Sequence, residues 1–507
     1  MQRNTIPRWA KPALFAFAVL VKLASNLYYF QAHGFPASPG ADIWFFAGVA
    51  QGAHHIFWGD PLQWVLPLFG SCQPTTLYLL LLVFSNVLSL LSLWILFATL
   101  KLLYADEGAA LWGCAIYVCL SSSVIFCTGS FHHQQESLLV IMLVLWAAVR
   151  FSHARKEDGR GRWGIAVILL SALGLCVGPD MLVVLAAAVP CIMVLRLRRI
   201  PHPQWMEWLI MLGYLALLVA ARPCLYEWGT HLAQNFRGID LRGQMELRVL
   251  DLLPLSLDVM NHTYPLIGCA VVVLAVVALY CGRIFAVSLL ACGVIFATLA
   301  GRFFFIVEVG ATFLVAWTFS NILGRNLRRQ SVAGVLGVGL LLGLDVAHGL
   351  DCAYPSTICR VLSEMQKDPR PNKKVFCTPT YGFLIQSFAR AMPTSDMHHL
   401  DARWVEKSSG PSWDAIAYFK VRGVTHIFLT SYDFQLAVRR DAIGNTESGT
   451  ICSGGFEKHV PKLSDSDLEK SLVYRVLNGD RPVPGTSVVS IQTDPSTRMK
   501  VVLLRLE

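Results

Sequence analysis

A succession of long apolar runs constrains the fold of this 507-residue chain more than any other feature. A transmembrane helix needs about 20 apolar residues, and several runs reach or approach that length. Only 15% of the residues are charged, whereas soluble domains carry about 25%, so lipid must solvate much of the chain. The candidate spans are Pro12–Phe30, Leu77–Leu100, Ala109–Thr128, Ser137–Phe151, Trp208–Ala221, Pro265–Tyr280, Ile284–Ala300, Phe303–Leu323 and Ser331–Leu350.

One further apolar stretch, Gly164–Leu195, is too long for a single span. Arg162 precedes it and Arg196 follows it, each within a cluster of basic residues. Basic clusters favour the cytoplasmic side, so we expect the chain to go out and come back. The turn would lie at Gly178–Asp180, and the total becomes about eleven transmembrane helices.

The same rule orients the rest of the chain. Lys101 and Arg283 mark further cytoplasmic turns, the N-terminus is predicted to be cytoplasmic, and the loop Gln31–Thr76 then faces outward. The net charge of +9 comes from clusters between apolar runs, which indicates membrane topology and not nucleic-acid binding. We expect a multi-pass protein of a bacterial inner (plasma) membrane, with a transmembrane domain at 1–350 and an extracytoplasmic (periplasmic) domain at 351–507.

The tail after residue 350 is polar and alternates between strand and helix patterns. This alternation predicts a small α/β domain with a largely parallel sheet. No nucleotide-binding glycine motif occurs in it, so we assign it no nucleotide chemistry. We expect strands at Lys374–Pro379, Thr425–Ser431 and the terminal VVLLRL, and helices at Phe383–Met392 and at Ser412–Gly423, the latter capped by Ser412.

The first outer loop places a single acid, Asp42, before an aromatic segment in GADIWFFAGVAQG. An acid at the start of a helix is a common N-cap, and this structural interpretation stays open. The functional interpretation is a general base at the membrane surface, which deprotonates a water-borne acceptor beside a lipid-borne donor. The segment would lie in the interface plane and hold isoprenoid or sugar. Its candidate contact residues are Trp44, Phe45, Trp58 and Trp64.

A second group of polar residues fills the short outer loop GSFHHQQES. His132, His133 and Glu136 are candidates for substrate binding. Glu136 also suits the N-terminus of a helix, where an acid is favourable, so a structural role stays open. Adjacent residues point about 100° apart on a helix. The two histidines therefore form a poorer metal pair than residues four apart.

A basic residue, Arg302, stands at an outer helix mouth between two apolar spans. Its guanidinium fork suits a donor phosphate. Glu308 follows inside the next span, and an acid inside a membrane is costly and often functional. A stabilising pair between Arg302 and Glu308, or between Arg302 and a lipid phosphate, is the structural alternative.

These motifs together resemble the GT-C superfamily of polytopic glycosyltransferases. The chain looks closest to its bacterial aminoarabinose-transferase and protein O-mannosyltransferase branch. The motifs that carry the resemblance are GADIWFF, GDPLQWVLPL, QQESLL, the hairpin turn GPD, GRFFFIVEV and the GVTHIFLT strand.

The resemblance implies an inverting glycosyltransferase with a polyprenyl-phosphate sugar as donor and a lipid, protein or glycan as acceptor. Asp42 matches the family's first-loop acid, its catalytic base, and Arg302 would steady the leaving phosphate. Many members show a second acid after the first, but Ile43 stands there in this chain. We therefore predict no cofactor and leave a divalent metal open.

Other classes of protein remain to be separated from this one. A transporter or flippase is disfavoured, since we find no inverted repeat and the long outer segments are asymmetric. A glycan polymerase or ligase would use the same membrane architecture, and a non-catalytic assembly or sensor protein could use the tail to bind a partner.

Overall fold

A computed structural model describes most of the predicted elements. The described residues are 6–40, 42–53, 61–120, 123–124, 127–154, 160–178, 180–181, 183–184, 186–187, 273–278, 284–299, 303–324, 326–345, 354–394, 411–431, 469–478 and 483–507. Two predicted site residues, Trp58 and Arg302, lie outside them, as does the predicted span Trp208–Ala221.

Helices occupy the described residues up to 345. They are α1 (Ala10–His33), α2 (Asp42–Ala50), α3 (Leu62–Val65, continued by a 3-10 turn Leu66–Phe69), α4 (Pro74–Tyr104), α5 (Glu107–Val118), α6 (Gln134–His153), α7 (Arg160–Val177), α8 (Ile284–Leu299), α9 (Phe304–Asn321) and α10 (Leu327–Asp345). Among the described residues, four helices are long and apolar enough to cross a membrane, namely α1, α4, α6 and α9. The total of about eleven spans stays a prediction.

The membrane helices pack around a continuous apolar core of leucine, valine and phenylalanine from α4, α5, α6, α8 and α9. Polar contacts fasten the turn after α4, which we predicted to be cytoplasmic. The Asp106 carboxylate caps α5 through the backbone N–H groups of Gly108 and Ala109, at 2.9 and 3.1 Å. Its other oxygen accepts a hydrogen bond from Gln330 Nε2 at 3.1 Å. The hydrogen bond between Asp106 and Gln330 therefore joins the start of α5 to the first turn of α10.

The third predicted span, Ala109–Thr128, differs from the observed helix. Helix α5 ends at Val118, and the described residues from 127 to 133 form no helix before α6 begins at Gln134. Ser123 and Val124 are helical, but beyond them side chains take part in bonding the backbone, since Asn26 Nδ2 donates to the carbonyl of Cys127 at 3.0 Å. Hydropathy alone does not separate such a segment from a helix.

The tail contains all the strands described. Its elements are α11 (Ser356–Gln366), β1 (Lys374–Phe376), α12 (Pro379–Ala389), β2 (Met392–Pro393), α13 (Ser412–Val421), β3 (His426–Thr430), α14 (Leu472–Asn478), β4 (Thr486–Thr493) and β5 (Lys500–Leu506). The sheet order is β2-β1-β3-β5-β4. Strands β2, β1 and β3 are parallel, whereas β5 is antiparallel to β3 and to β4.

The prediction of a largely parallel sheet therefore holds for β2, β1 and β3, but it is wrong for β4 and β5. The tight turn at Asp494 explains the difference, because a short connection can join only antiparallel strands. The Asp494 carboxylate accepts hydrogen bonds from the backbone N–H groups of Ser496 and Thr497 at 3.1 and 2.8 Å. The Ser412 cap is also wrong, since Pro411 occupies the N-cap position and Ser412 begins the helix.

The tail packs against the first outer loop. Ser38 and Tyr354 exchange backbone hydrogen bonds of 3.0 Å, and the Phe45 and Phe383 rings lie 5.1 Å apart. One apolar cluster thus runs from α2 and the outer end of α4 into the sheet. Helix α2, which begins with Asp42, is held between a membrane helix and α12.

Candidate active site

Two loop segments that are far apart in sequence, and that we predicted to face outward, meet at Asp42. The Asp42 Oδ2 atom lies 3.0 Å from His132 Nδ1 and 3.9 Å from His133 Nδ1. The Asp42 side chain keeps 30% of its surface exposed, and that of His132 keeps 13%. A carboxylate beside an imidazole, both reachable from outside, can move a proton to or from a bound substrate.

Tyr78 near the outer start of α4 holds the two segments together. Its hydroxyl lies within hydrogen-bond distance of the carbonyl of Ala37 in the first loop and, at 2.8 Å, of Gly129 in the second. The Trp44 ring stacks on the Tyr78 ring at 5.2 Å. Tyr78 was not among the predicted site residues, although a tyrosine at the end of an apolar span is a recognisable interface residue.

The second segment leads directly into α6. His133 occupies the N-cap position, and Glu136 lies in the first turn, as expected for an acid at a helix N-terminus. Gln135 is fixed from α4, since its Oε1 accepts a hydrogen bond from Ser85 Oγ at 2.8 Å. The histidines therefore precede a helix start whose polar side chains are buried.

The aromatic residues directly after Asp42 pack inside the protein, whereas the predicted platform has them facing the membrane. Trp44 is fully buried between Tyr78 and Phe388, so the structure gives it a packing role and not a substrate contact. The prediction failed because α12 covers the face that we expected lipid to cover. Trp64, another of the four predicted residues, is exposed in α3, and Leu68 beside it is exposed as well.

The last predicted pair is only partly described. Arg302 lies outside the described residues, whereas Glu308 is buried within α9. The carbonyl oxygen of Glu308 accepts a hydrogen bond from Thr312 Oγ1 at 2.8 Å, an ordinary contact within a helix. The choice between phosphate binding and an ion pair for Arg302 therefore stays open.

The described residues were tested for a metal site. They contain no group of three or more histidine, cysteine, aspartate or glutamate side chains arranged to hold an ion. Asp42 and His132 supply a pair of ligands, which is fewer than the three protein ligands usual in a catalytic zinc site. A divalent metal at this site therefore stays an open prediction.

No protein-family model matches this sequence, and neither does the sequence of any curated protein. Solved structures do match. The Archaeoglobus fulgidus oligosaccharyltransferase in its apo form has a TM-score of 0.63 at 11% identity, over 97% of this chain and 80% of that one. ArnT from Cupriavidus metallidurans, bound to undecaprenyl phosphate, has a TM-score of 0.54 at 13% identity, over 98% of both chains.

A further structure of the archaeal protein, AglB, holds an inhibitory peptide and a dolichol-phosphate. It matches with a TM-score of 0.61 at 10% identity, over 97% of this chain and 80% of that chain. At such low identities the likeness concerns the fold. The chain therefore shares the fold of these oligosaccharyltransferase and ArnT structures, in agreement with the resemblance that its motifs carry.

Proposed function

We propose that this protein is a membrane glycosyltransferase that moves a sugar from a polyprenyl-phosphate donor to an acceptor on the outer face of the membrane. The contact between Asp42 and His132 at the mouth of a GT-C fold carries the proposal. Structural neighbours that contain dolichol-phosphate or undecaprenyl phosphate support this donor class. The acceptor class, whether lipid, protein or glycan, stays unassigned.

In the proposed reaction Asp42 acts as the general base. Its carboxylate takes the proton of the acceptor hydroxyl while the acceptor oxygen attacks the anomeric carbon. The bond from that carbon to the phosphate oxygen breaks on the opposite face, so the configuration inverts. His132, at 3.0 Å from Asp42, orients the carboxylate toward the acceptor.

The leaving phosphate departs with its own negative charge and needs no proton. We assign Arg302 to this phosphate, because a guanidinium fork stabilises charge that grows as the bond breaks. His133, Glu136 and Trp58 complete the proposed substrate site. The proposed arrangement has a transmembrane catalytic domain at 1–350 and a periplasmic domain at 351–507, in a bacterial inner membrane.

The donor tests the proposal directly. Lipid extracted from the purified full chain should contain polyprenyl phosphate by mass spectrometry. A radiolabelled polyprenyl-phosphate sugar should lose its label to acceptor when wild-type protein is added. Movement of intact donor across a vesicle membrane without cleavage would instead identify a flippase.

A reporter fusion tests the side of the membrane. Alkaline phosphatase fused after Leu350 should be active, because the positions of the basic turns predict that this point lies outside. An inactive fusion, with a cytoplasmic reporter active at the same point, would place Asp42 and the tail on the wrong side for this chemistry.

A further inference from the structure

The buried face of α1 carries a stripe of polar side chains. Lys22, Asn26 and Tyr29 follow one another at helical spacing on the face that packs inward, beyond Leu14 and Ala18. The whole Lys22 residue is only 5% exposed, although it lies in the middle of a membrane-spanning helix. Ionisable residues at such depth are costly and are retained for specific contacts.

The stripe binds the segment that leads to the histidines, in which Ser123 and Val124 are helical and the described residues from Cys127 to His133 are not. Lys22 Nζ lies 3.1 Å from the carbonyl oxygen of Ser123 and 3.1 Å from Cys127 Sγ. Asn26 donates from Nδ2 to the Cys127 carbonyl at 3.0 Å and accepts at Oδ1 from the Gly129 N–H at 2.9 Å. The side chains of α1 thus supply partners that a helix would have supplied.

This arrangement meets a physical requirement. Backbone N–H and C=O groups at membrane depth must find partners inside the protein, because lipid tails offer none. A non-helical segment there is tolerated only where neighbouring side chains take over its hydrogen bonds. Asn26 does so for Cys127 and Gly129, and Lys22 binds the carbonyl of Ser123 in the helical part just before them.

Close packing also restricts where the segment can lie. Gly129 has a φ of +61°, and a Cβ atom there would lie 2.6 Å from Tyr29 Cε1, so only glycine fits against α1. The Cys127 sulfur contacts Ser89 Oγ at 2.9 Å and Gln135 Nε2 at 3.2 Å. The segment is therefore tied to α1, to α4 and to the start of α6.

His132 follows Gly129 by three residues. We propose that Lys22 is a positioning residue whose amino group holds the segment and thereby places His132 against Asp42. The inference rests on the proposed function, since it assigns Lys22 to the geometry of that site. Lys22 does not touch the site itself, because its contacts are with Ser123 and Cys127.

The main test is a double-mutant cycle in the purified full chain. Lys22→Met removes the amino group but keeps an unbranched side chain. We expect transfer at saturating donor to fall about 10- to 100-fold with little change in KM, because a misplacement of about 1 Å can cost about 100-fold. Lys22→Arg keeps a donor and should recover part of the rate.

The second arm of the cycle uses His132→Ala. If Lys22 acts through His132, adding Lys22→Met to His132→Ala should cause little further loss of transfer. Losses that multiply would overturn the proposal. Lys11→Met is the matched control, since Lys11 lies on the same helix, is half exposed and pairs with Glu107 at the opposite end.

Two further variants, Asn26→Asp and Asp42→Asn, distinguish a failure of the positioning role from a failure of the proposed base. If Lys22→Met does not fold, Asn26→Asp tests the same clamp, because it loses the donor to Cys127 but keeps an acceptor for Gly129. Wild-type transfer per folded molecule in these variants, with Asp42→Asn inactive, would overturn the positioning role alone. Full transfer by Asp42→Asn would instead overturn the assignment of the base.

Discussion

Within the described part of the chain, two aspartate–histidine pairs have nearly the same geometry and very different surroundings. Asp42 and His132 lie 3.0 Å apart, with 30% and 13% of their side chains exposed. In the tail, Asp368 Oδ2 lies 3.2 Å from His426 Nε2, with 10% and 0% exposed. Distance alone therefore does not tell which pair can act on a substrate.

The difference lies in what else each pair contacts. Arg370 binds Asp368 with its guanidinium fork, with Nη2 at 2.8 Å and Nε at 3.1 Å from Oδ2. The hydrogen bond and charge of Arg370 hold the pKa of Asp368 well below its usual range. His426 Nδ1 lies 3.0 Å from Thr425 Oγ1. The side chains of this second pair are shielded from solvent and already interact with Arg370 and Thr425, so the pair stabilises the tail.

The comparison teaches that access and the neighbouring cation decide the role of such a pair. A carboxylate held by an arginine is a weak base, because taking up a proton would sacrifice the ion pair. Asp42 has imidazole neighbours and partial access from outside. The proposed general base is therefore Asp42 and not Asp368.

The largest expected effect is a loss of transfer activity in a variant of the first pair, with no such loss in the matching variant of the second pair. Asp42→Asn should reduce transfer by about 10²- to 10⁴-fold, the usual contribution of a positioned general base. Polyprenyl phosphate binding and the melting temperature should stay near wild type. The matched control, Asp368→Asn, should leave transfer per folded molecule unchanged.

A different outcome would reverse the assignment. If Asp42→Asn lowers the melting temperature while the surviving protein turns over normally, Asp42 only stabilises the first turn of α2. Rates should be normalised to monodisperse protein from size-exclusion chromatography, so that loss of folded protein is not counted as loss of chemistry.

Much of the helical framework could be predicted from sequence. Apolar runs of sufficient length led to α1, α4, α6, α8 and α9, because the bilayer requires that length and tolerates few charges. The acids at the helix starts, Asp42 and Glu136, were also found as local patterns. Both kinds of signal depend on neighbours in the chain.

The rest depends on contacts between distant segments. Asp42 and His132 are 90 residues apart, and no local pattern pairs them. We predicted that Trp44 faces lipid, because the local sequence does not show that α12, far along the chain, covers it. Lys22 was missed although a lysine inside an apolar run is itself a signal.

The second prediction compares two arginines. Arg370 is occupied by a carboxylate, whereas Arg302 is assigned to the leaving phosphate. Arg302→Ala should weaken donor binding and slow transfer together, by about 10- to 100-fold, since hydrogen bonds to charged groups contribute about 1.5–3 kcal/mol. Arg302→Lys keeps the charge but loses the fork, so it should recover only part.

If Arg302 instead pairs with Glu308, the loss should appear in stability. Neutralising both residues, in Arg302→Ala with Glu308→Gln, should then restore stability and turnover together. Full turnover of that double variant would remove Arg302 from the site.

The third prediction concerns the enclosed pair. Asp368→Asn removes a charged acceptor from Arg370 and should lower the free energy of unfolding by about 2 kcal/mol. Thermal unfolding of the full chain in detergent measures the change. A stability equal to that of wild type would mean that the Arg370 contact is solvated enough to contribute nothing.

The smallest expected effect is a pH dependence of stability that comes from His426. Burial, followed by the charge of Arg370, lowers the pKa of His426 to about 4, whereas an unfolded histidine has a pKa of about 6.5. The folded state thus favours neutral His426. Its contribution to stability is complete above about pH 6.5 and falls as the pH drops toward about 4, because the unfolded chain binds the proton first. At pH 5.5 the loss of stability should be about 1.4 kcal/mol.

His426→Gln should remove the change in melting temperature between pH 7 and pH 5.5 that comes from this group, whereas His153→Gln, at an exposed position, should keep the wild-type slope. An unchanged slope in His426→Gln would assign the pH dependence to another group and leave the enclosed pair without a titrating member.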